Sequence, residues 1–458
     1  MVFSSPIFLF AFLPAVFLLE RLCPSLRLKN ALLALASLVF YAFGQLVFLP
    51  LFLGSVLLNY LAGLALMRLT RGRRAVLTLA VILNLLILGV FKYGDFLLTN
   101  LGRAPVGILL PIGISFFTFQ GMSYVIDVYR EPAGGTLSFG KLLLYLSFFP
   151  QLIAGPIVKY HDIAPQIDSR RTDLPSTEEG LRRFIRGLGK KLLIADAVGG
   201  IADAVFSGGA GDLRLAWLGA VCYTLQIYYD FSAYSDMAIG MGRMFGFRLK
   251  ENFLHPYAAV SMRDFWRRWH VSLSSWFKEY LYIPLGGNRK GKLRTALNKL
   301  LVFLCTGLWH GANWTFVVWG LGHGLLSSLE GALPTERLRA SRPGRLLSRF
   351  LTLLAVTLLF VVFRAEDLPA AWAMLRALFA GSVTREGTIR LLSLLQPAAL
   401  LALGLALLFA GGLRERLYEK LRAPVFVHLA RLGSLALLFL CILSLSNGGF
   451  HPFLYFQF

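Results

Sequence analysis

Two histidines, His310 and His323, stand inside one apolar run, Gly307-Leu-Trp-His-Gly-Ala-Asn-Trp-Thr-Phe-Val-Val-Trp-Gly-Leu-Gly-His-Gly324, about as long as a bilayer crossing. A third, His270, closes the upstream segment Phe265-Trp-Arg-Arg-Trp-His. Imidazole is costly to take out of water, and its charge changes near neutral pH, so histidines at membrane depth point to proton transfer. A neutral ring can take the proton of a hydroxyl as that oxygen attacks a carbonyl, typically a gain of about 10²–10⁴ in rate. No Gly-x-Ser-x-Gly elbow offers a serine nucleophile. No His-Glu-x-x-His or i,i+4 histidine pair suggests zinc, so no metal is expected. On one straight helix His310 and His323 would lie about 20 Å apart along the axis and on near-opposite faces, unable to share one substrate.

Other polar groups sit where polarity is costly. Asp230 and Asp236 lie in an apolar segment with Gln226, Tyr229 and Tyr234. Carboxylates at depth need partners; Arg243 or the basic stretch 263–268 could supply them, or the pair could line a polar passage together with Gln226, Asn313 and His323. The cysteines Cys23, Cys222, Cys305 and Cys441 form no Cys-x-x-Cys pair and read as small buried apolar residues.

The elements that must position these groups are membrane helices. Of 458 residues, 57% are hydrophobic and 15% charged, and runs of 18 or more nearly uncharged residues recur along the chain. The pattern predicts an all-α, polytopic integral membrane protein forming one domain over 1–458. Spans are expected near 5–22, 31–48, 50–67, 75–99, 106–127, 215–242, 297–332, 346–363, 392–411 and 428–447, with broken pieces at 141–157, 184–206 and 369–380. The N-terminus reads as an uncleaved first span. Two prolines and a glycine in Phe149-Pro-Gln-Leu-Ile-Ala-Gly155-Pro156 mark a re-entrant or buried segment.

The net charge of +22 could suggest nucleic acid. The basic residues instead fall in short loops, at Arg21–Lys29, Arg68–Arg74, 159–191 and 263–299, as the positive-inside rule requires, so those loops are assigned to the cytoplasm and nucleic acid is not an expected partner. The stretch 262–299 holds nine Lys/Arg against two acids and is studded with aromatics. Its spacing suggests an amphipathic helix over 262–279 at the membrane interface, in contact with lipid. The turn Pro284-Leu-Gly-Gly-Asn288 ends it, and Arg289, Lys290, Lys292 and Arg294 follow as a candidate site for a phosphorylated donor or anionic lipid.

These segments together closely resemble the membrane-bound O-acyltransferases. The resemblance rests on Phe265-Trp-Arg-Arg-Trp-His270-Val-Ser-Leu-Ser-Ser-Trp-Phe-Lys-Glu-Tyr-Leu-Tyr-Ile-Pro-Leu-Gly-Gly-Asn-Arg289 with Gly307-Leu-Trp-His310-Gly. Pro111–Gln120, Phe149–Ile157 and Tyr229–Gly240 agree with it. It runs over about residues 105–325, resumes at the aromatic tail 448–458, and lies nearest the bacterial alginate O-acetylation branch. Peptidoglycan O-acetylation and teichoic acid D-alanylation proteins share much of the pattern.

The resemblance implies ten or eleven crossings, with re-entrant and interfacial helices, around a central tunnel in the bacterial inner membrane. It implies transfer of an acetyl group from a cytoplasmic thioester such as acetyl-CoA, a substrate rather than a bound cofactor, towards an exported polysaccharide. The product would pass to a separate extracytoplasmic acetyltransferase. The family's near-invariant histidine falls on His310, which is assigned as the base. His270 is the second catalytic-region histidine, orienting or handling a further proton, and His323 is taken as a structural contact. The tail carries one hydroxyl, Tyr455, which would receive the acyl group and relay it. A cell-wall polymer as acceptor is the alternative, as is a transporter or scaffold without catalysis.

Overall fold

The computed structural model describes residues 1–208, 211–333, 335–413, 424–448 and 452–454. Within them the secondary structure is helical, with one isolated β-bridge between Asp212 and Ser382. The chain divides into two compact units, Met1–Phe184 with Tyr234–Glu251, and Ile185–Ala233 with Asn252–Phe458. Among the described residues four helices are long and apolar enough to cross a bilayer, or five if the bent pair Arg385–Leu394 and Pro397–Phe409 is one span. That is fewer than the apolar runs suggest, in part because Leu26–Arg68 is counted once and in part because some runs are broken. The helix in 106–127 starts only at Ile114, after Gly113 at φ 75°, and the pair in 385–409 is bent by 79°.

In the first unit, Leu26–Gln45, Leu49–Arg68 and Arg73–Asn100 carry the apolar runs. The proline-rich segment behaves as its composition requires. Helix Phe139–Ser147 stops at Phe148, a single turn Phe149–Leu152 follows, and the backbone then bends at Gly155, φ +97°. Every residue over 144–160 is buried, so the irregular backbone never meets lipid. A Cβ at Gly155 would be strained by the positive φ and would lie 3.3–3.4 Å from Ala238 and Tyr234.

The helical run 174–207, which enters the second unit at Ile185, contains a π-turn at Lys190–Ala195. The extra residue of such a turn rotates side chains to faces an α-helix would not give them. The 32-residue helix Leu213–Met244 begins here and carries Gln226 and Asp230.

Two expectations about helices are corrected. Residues 262–279 do not form one amphipathic helix: Met262–Arg268 ends at Trp269, and His270 takes a left-handed backbone (φ 43°, ψ 54°) before Val271–Phe277. The run 297–332 is not one helix either. Gly291–His310 stops at an extended Gly311, Asn313 caps Trp314–Ala332, and the two form a hairpin. A Cβ at Gly307 would lie 2.2 Å from the Phe316 carbonyl oxygen, one at Gly320 2.3 Å from that of Phe303, and one at Gly324 3.2 Å from Leu300 Cα. Those pairings run antiparallel, and glycine alone permits such close backbones. The hairpin returns the chain to the side where Arg289–Arg294 began, so the next basic cluster, Arg339, Arg342 and Arg345, shares the side of the first, as the positive-inside rule asks.

Candidate active site

Histidine 310 is the last residue of its helix, 5% exposed and walled by aromatic rings. Trp309, Trp319 and Phe363 approach it edge-to-face, with centroids at 5.0, 5.1 and 5.0 Å. Trp319 also lies 4.8 Å from His323. The two histidines are therefore no farther apart than the sum of two ring contacts, about half the 20 Å that a straight helix would impose. The expectation that they could not share a site fails because the helix breaks between them.

Histidine 270 packs on the same Trp309, its ring 5.7 Å from that indole and 4.6 Å from Phe231. It is fully buried, and its left-handed backbone is a strained conformation for a residue with a Cβ. The surroundings hold it there. The Val271 N–H donates to the Asn252 carbonyl oxygen at 3.0 Å. The Asn252 side-chain oxygen accepts from the Ser272 N–H at 3.2 Å and the Ser272 hydroxyl at 2.9 Å, and faces His270 Nδ1 at 3.2 Å. An atom that accepts a backbone N–H must be the amide oxygen, so Nδ1 must carry the proton and Nε2 the lone pair. Burial pushes this imidazole down to about 3, so the ring is neutral at pH 7. Nothing in the sequence marked Asn252, eighteen positions away from His270 across a helix break.

At His323 the Trp266 indole N–H donates to Nδ1 at 3.2 Å, and Phe265 stacks on the ring at 6.1 Å. Indole can only donate, so here the proton is on Nε2, the opposite tautomer from His270.

The remaining residues separate into groups. Asn313 caps its helix: its oxygen accepts from the Thr315 N–H at 3.1 Å and its amide donates to the Glu366 carbonyl at 2.7 Å. Gln226 packs on Gly199, whose missing Cβ would lie 2.5 Å away. Arg289, Lys290, Lys292 and Arg294 are exposed at the opposite end of the His310 helix, about 24–30 Å from that ring.

Asp230 and Asp236 are both paired. Asp236 meets Arg183 at 2.9 Å, and Arg183 also holds Glu251. Asp230 meets Lys191 at 2.8 Å, and Lys191 meets Asp196 at 2.7 Å. Lys191 sits in the π-turn; its place beside Asp196 inside an apolar stretch was the unused signal for a buried pair. This cluster binds the C-terminal tail. Asp230 accepts from the Leu454 N–H at 2.9 Å, Lys191 donates to the Pro452 carbonyl at 3.1 Å, and its ammonium lies 4.8 Å from the Phe453 ring centroid. Phe453 and Leu454 are buried, and Leu454 joins the apolar cluster that contains Trp269, Phe316, Trp319 and Phe363. The tail is thus an inserted segment at 452–454. Tyr455 lies outside the described residues.

Long apolar helices with buried histidines, paired carboxylates and an inserted tail among them define a multi-pass membrane protein. The membrane-bound O-acyltransferase family model matches residues 33–335. The probable alginate O-acetylase AlgI of Azotobacter vinelandii is 41% identical over 504 aligned positions, covering 100% of both chains. That of Pseudomonas aeruginosa is 45% identical over 83% of this chain and 75% of its own. A peptidoglycan O-acetyltransferase of Helicobacter pylori is 38% identical over 82% of this chain and 80% of its own. The chain belongs to the membrane-bound O-acyltransferase family, and it is an O-acyltransferase.

Proposed function

We propose that this enzyme takes an acetyl group from a cytoplasmic thioester, acetyl-CoA, and carries it through the bacterial inner membrane for O-acetylation of an exported polysaccharide such as alginate. The observation that carries the reading is the burial of His310 and His270 against one indole, Trp309, with His310 also packed on Trp319 and Phe363 of the apolar cluster that receives the tail residue Leu454.

His310 acts as the base. Its ring takes the proton of an attacking hydroxyl as that oxygen bonds to the thioester carbonyl carbon. The tetrahedral intermediate then collapses, the carbon–sulfur bond breaks, and the proton passes from the imidazolium to the departing thiolate. His270, held with Nε2 as its lone-pair atom, orients or handles a second proton. The aromatic walls keep water from competing for the acyl group. Arg289, Lys290, Lys292 and Arg294 receive the donor's phosphates at the cytoplasmic end of the His310 helix, leaving the donor's extended arm to reach the ring. Tyr455, one residue beyond the anchored Leu454, accepts the acyl group as an ester and passes it to an extracytoplasmic acetyltransferase that serves the polymer.

The test is incubation of the purified protein with radiolabelled acetyl-CoA. Label should transfer to the wild type and be lost in His310→Ala; equal labelling of both would refute the role of His310. Intact-mass analysis checks the relay, which fails if the acyl adduct survives Tyr455→Phe. The Helicobacter pylori relative supports a second reading, the same chemistry serving a cell-wall polymer. Polymer acetyl content in a deletion strain separates the two.

A further inference from the structure

A cavity of about 650 Å³ opens in the second unit beside the end of helix Arg342–Arg364. That helix ends one residue after Phe363, the ring packed on His310, and Asn313 ties the following turn to the His310 hairpin through the Glu366 carbonyl. The cavity is thus joined to the candidate centre by rigid elements. Among its lining residues are Phe206, Arg364, Glu366, Trp372, Met374 and Arg376.

Charge places this wall on the outer face. The basic cluster Arg339–Arg345 lies at the other end of helix Arg342–Arg364, one span away, and belongs inside. Arginines on the outer face run against that bias and call for another cause. Arg376 is exposed and has no hydrogen-bond or ion-pair partner among the described residues. Arg364 gives one nitrogen to Asp203 at 2.7 Å, while its Nε is buried with no hydrogen-bond partner among the described residues. Trp372 is 69% exposed, lines the same cavity and lies four residues before Arg376, one turn away on the same helix.

We propose that this cavity binds an acidic sugar unit of the acceptor, a uronate, with Arg376 pairing its carboxylate and Trp372 packing on its ring. The proposal rests on the polysaccharide reading above and deepens it: the membrane enzyme itself holds the polymer close to the exit of the acyl group. A simple anion would be repelled by Glu366, whereas a uronate brings hydroxyl donors for that carboxylate and an acid for the arginines. The concavity suits a short stretch of saccharide, within the volume range of small-molecule sites. A protein partner would need a broad contact of about 800 Å² per side.

The experiment is calorimetric titration of the full-length protein in zwitterionic nanodiscs with three probes: trigalacturonate, its methyl ester and triglutamate. The acid should bind saturably and its ester at least about tenfold more weakly. Arg376→Gln should weaken the acid about tenfold and leave the ester unchanged, Arg376→Lys should fall between, and Trp372→Ala should weaken both sugars. The proposal is overturned by equal affinity for acid and ester, by an unaffected Arg376→Gln, by triglutamate binding as well as the sugar acid, or by no saturable binding. Donor-dependent labelling of the same wild-type preparation is measured alongside, so a failure of the acyl-transfer reading is seen separately from a failure of this one.

Discussion

Replacing Asn252 should cripple the enzyme although Asn252 touches no substrate in the proposed chemistry. Its side-chain oxygen serves the Ser272 N–H, the Ser272 hydroxyl and His270 Nδ1. In Asn252→Ala the hydroxyl can rotate towards another acceptor, but two buried N–H groups lose theirs, at about 1–3 kcal/mol each. The expected loss of stability is therefore about 2–6 kcal/mol before relaxation. The imidazole also loses the partner that keeps Nδ1 protonated, and a ring turned or in the wrong tautomer forfeits the about 10²–10⁴-fold of a placed proton acceptor. Asn252→Asp separates the two effects, because a carboxylate oxygen in the same place accepts the same bonds. Label transfer from radiolabelled acetyl-CoA and thermal unfolding, measured on both variants, make the assay. Alanine should fall about a hundredfold or more in rate and melt earlier, with aspartate staying within about tenfold of wild type. An alanine variant with wild-type rate and melting, or an aspartate variant as poor as alanine, refutes the clamp.

Three further outcomes follow from the packing. Gly307→Ala would set a methyl against the Phe316 carbonyl oxygen and should part the hairpin and abolish label transfer, whereas Gly404→Ala, with open space around it, should leave stability to thermal unfolding equal or raise it by up to about 1 kcal/mol. Lys191→Met leaves Asp230 buried without its cation and should cost about 3–5 kcal/mol; the second change Asp230→Asn should restore much of it, and protease cleavage of the tail should report its release. His270 has a folded value depressed to about 3, so the unfolded chain binds the extra proton below its ordinary 6.5. Its contribution is fully present above pH 6.5 and is lost as pH falls towards 3, so melting should drop between pH 7.5 and 5 by less in His270→Gln than in wild type.

Composition and motif by themselves determined the class. An apolar, sparsely charged chain with basic short loops can only be stable as helices in a bilayer, and the histidine segments carried the family resemblance. The buried nature of 144–160 was also legible, because prolines and a glycine that strand backbone groups cannot face lipid. What tertiary structure decided was who meets whom. An apolar run has no periodic signal for a break at Gly311-Ala-Asn313, since every residue on either side is compatible with one helix; only the fit of Gly307 and Gly320 against facing carbonyls folds it into a hairpin and brings His310 and His323 to one indole. Asn252 found His270 through a left-handed turn that local propensity disfavours and surrounding hydrogen bonds impose. Asp230 chose Lys191 over the nearer Arg243 because a π-turn redirected that lysine inward. Pairings of buried charge depend on which faces the packing leaves together, and sequence distance carries no record of that.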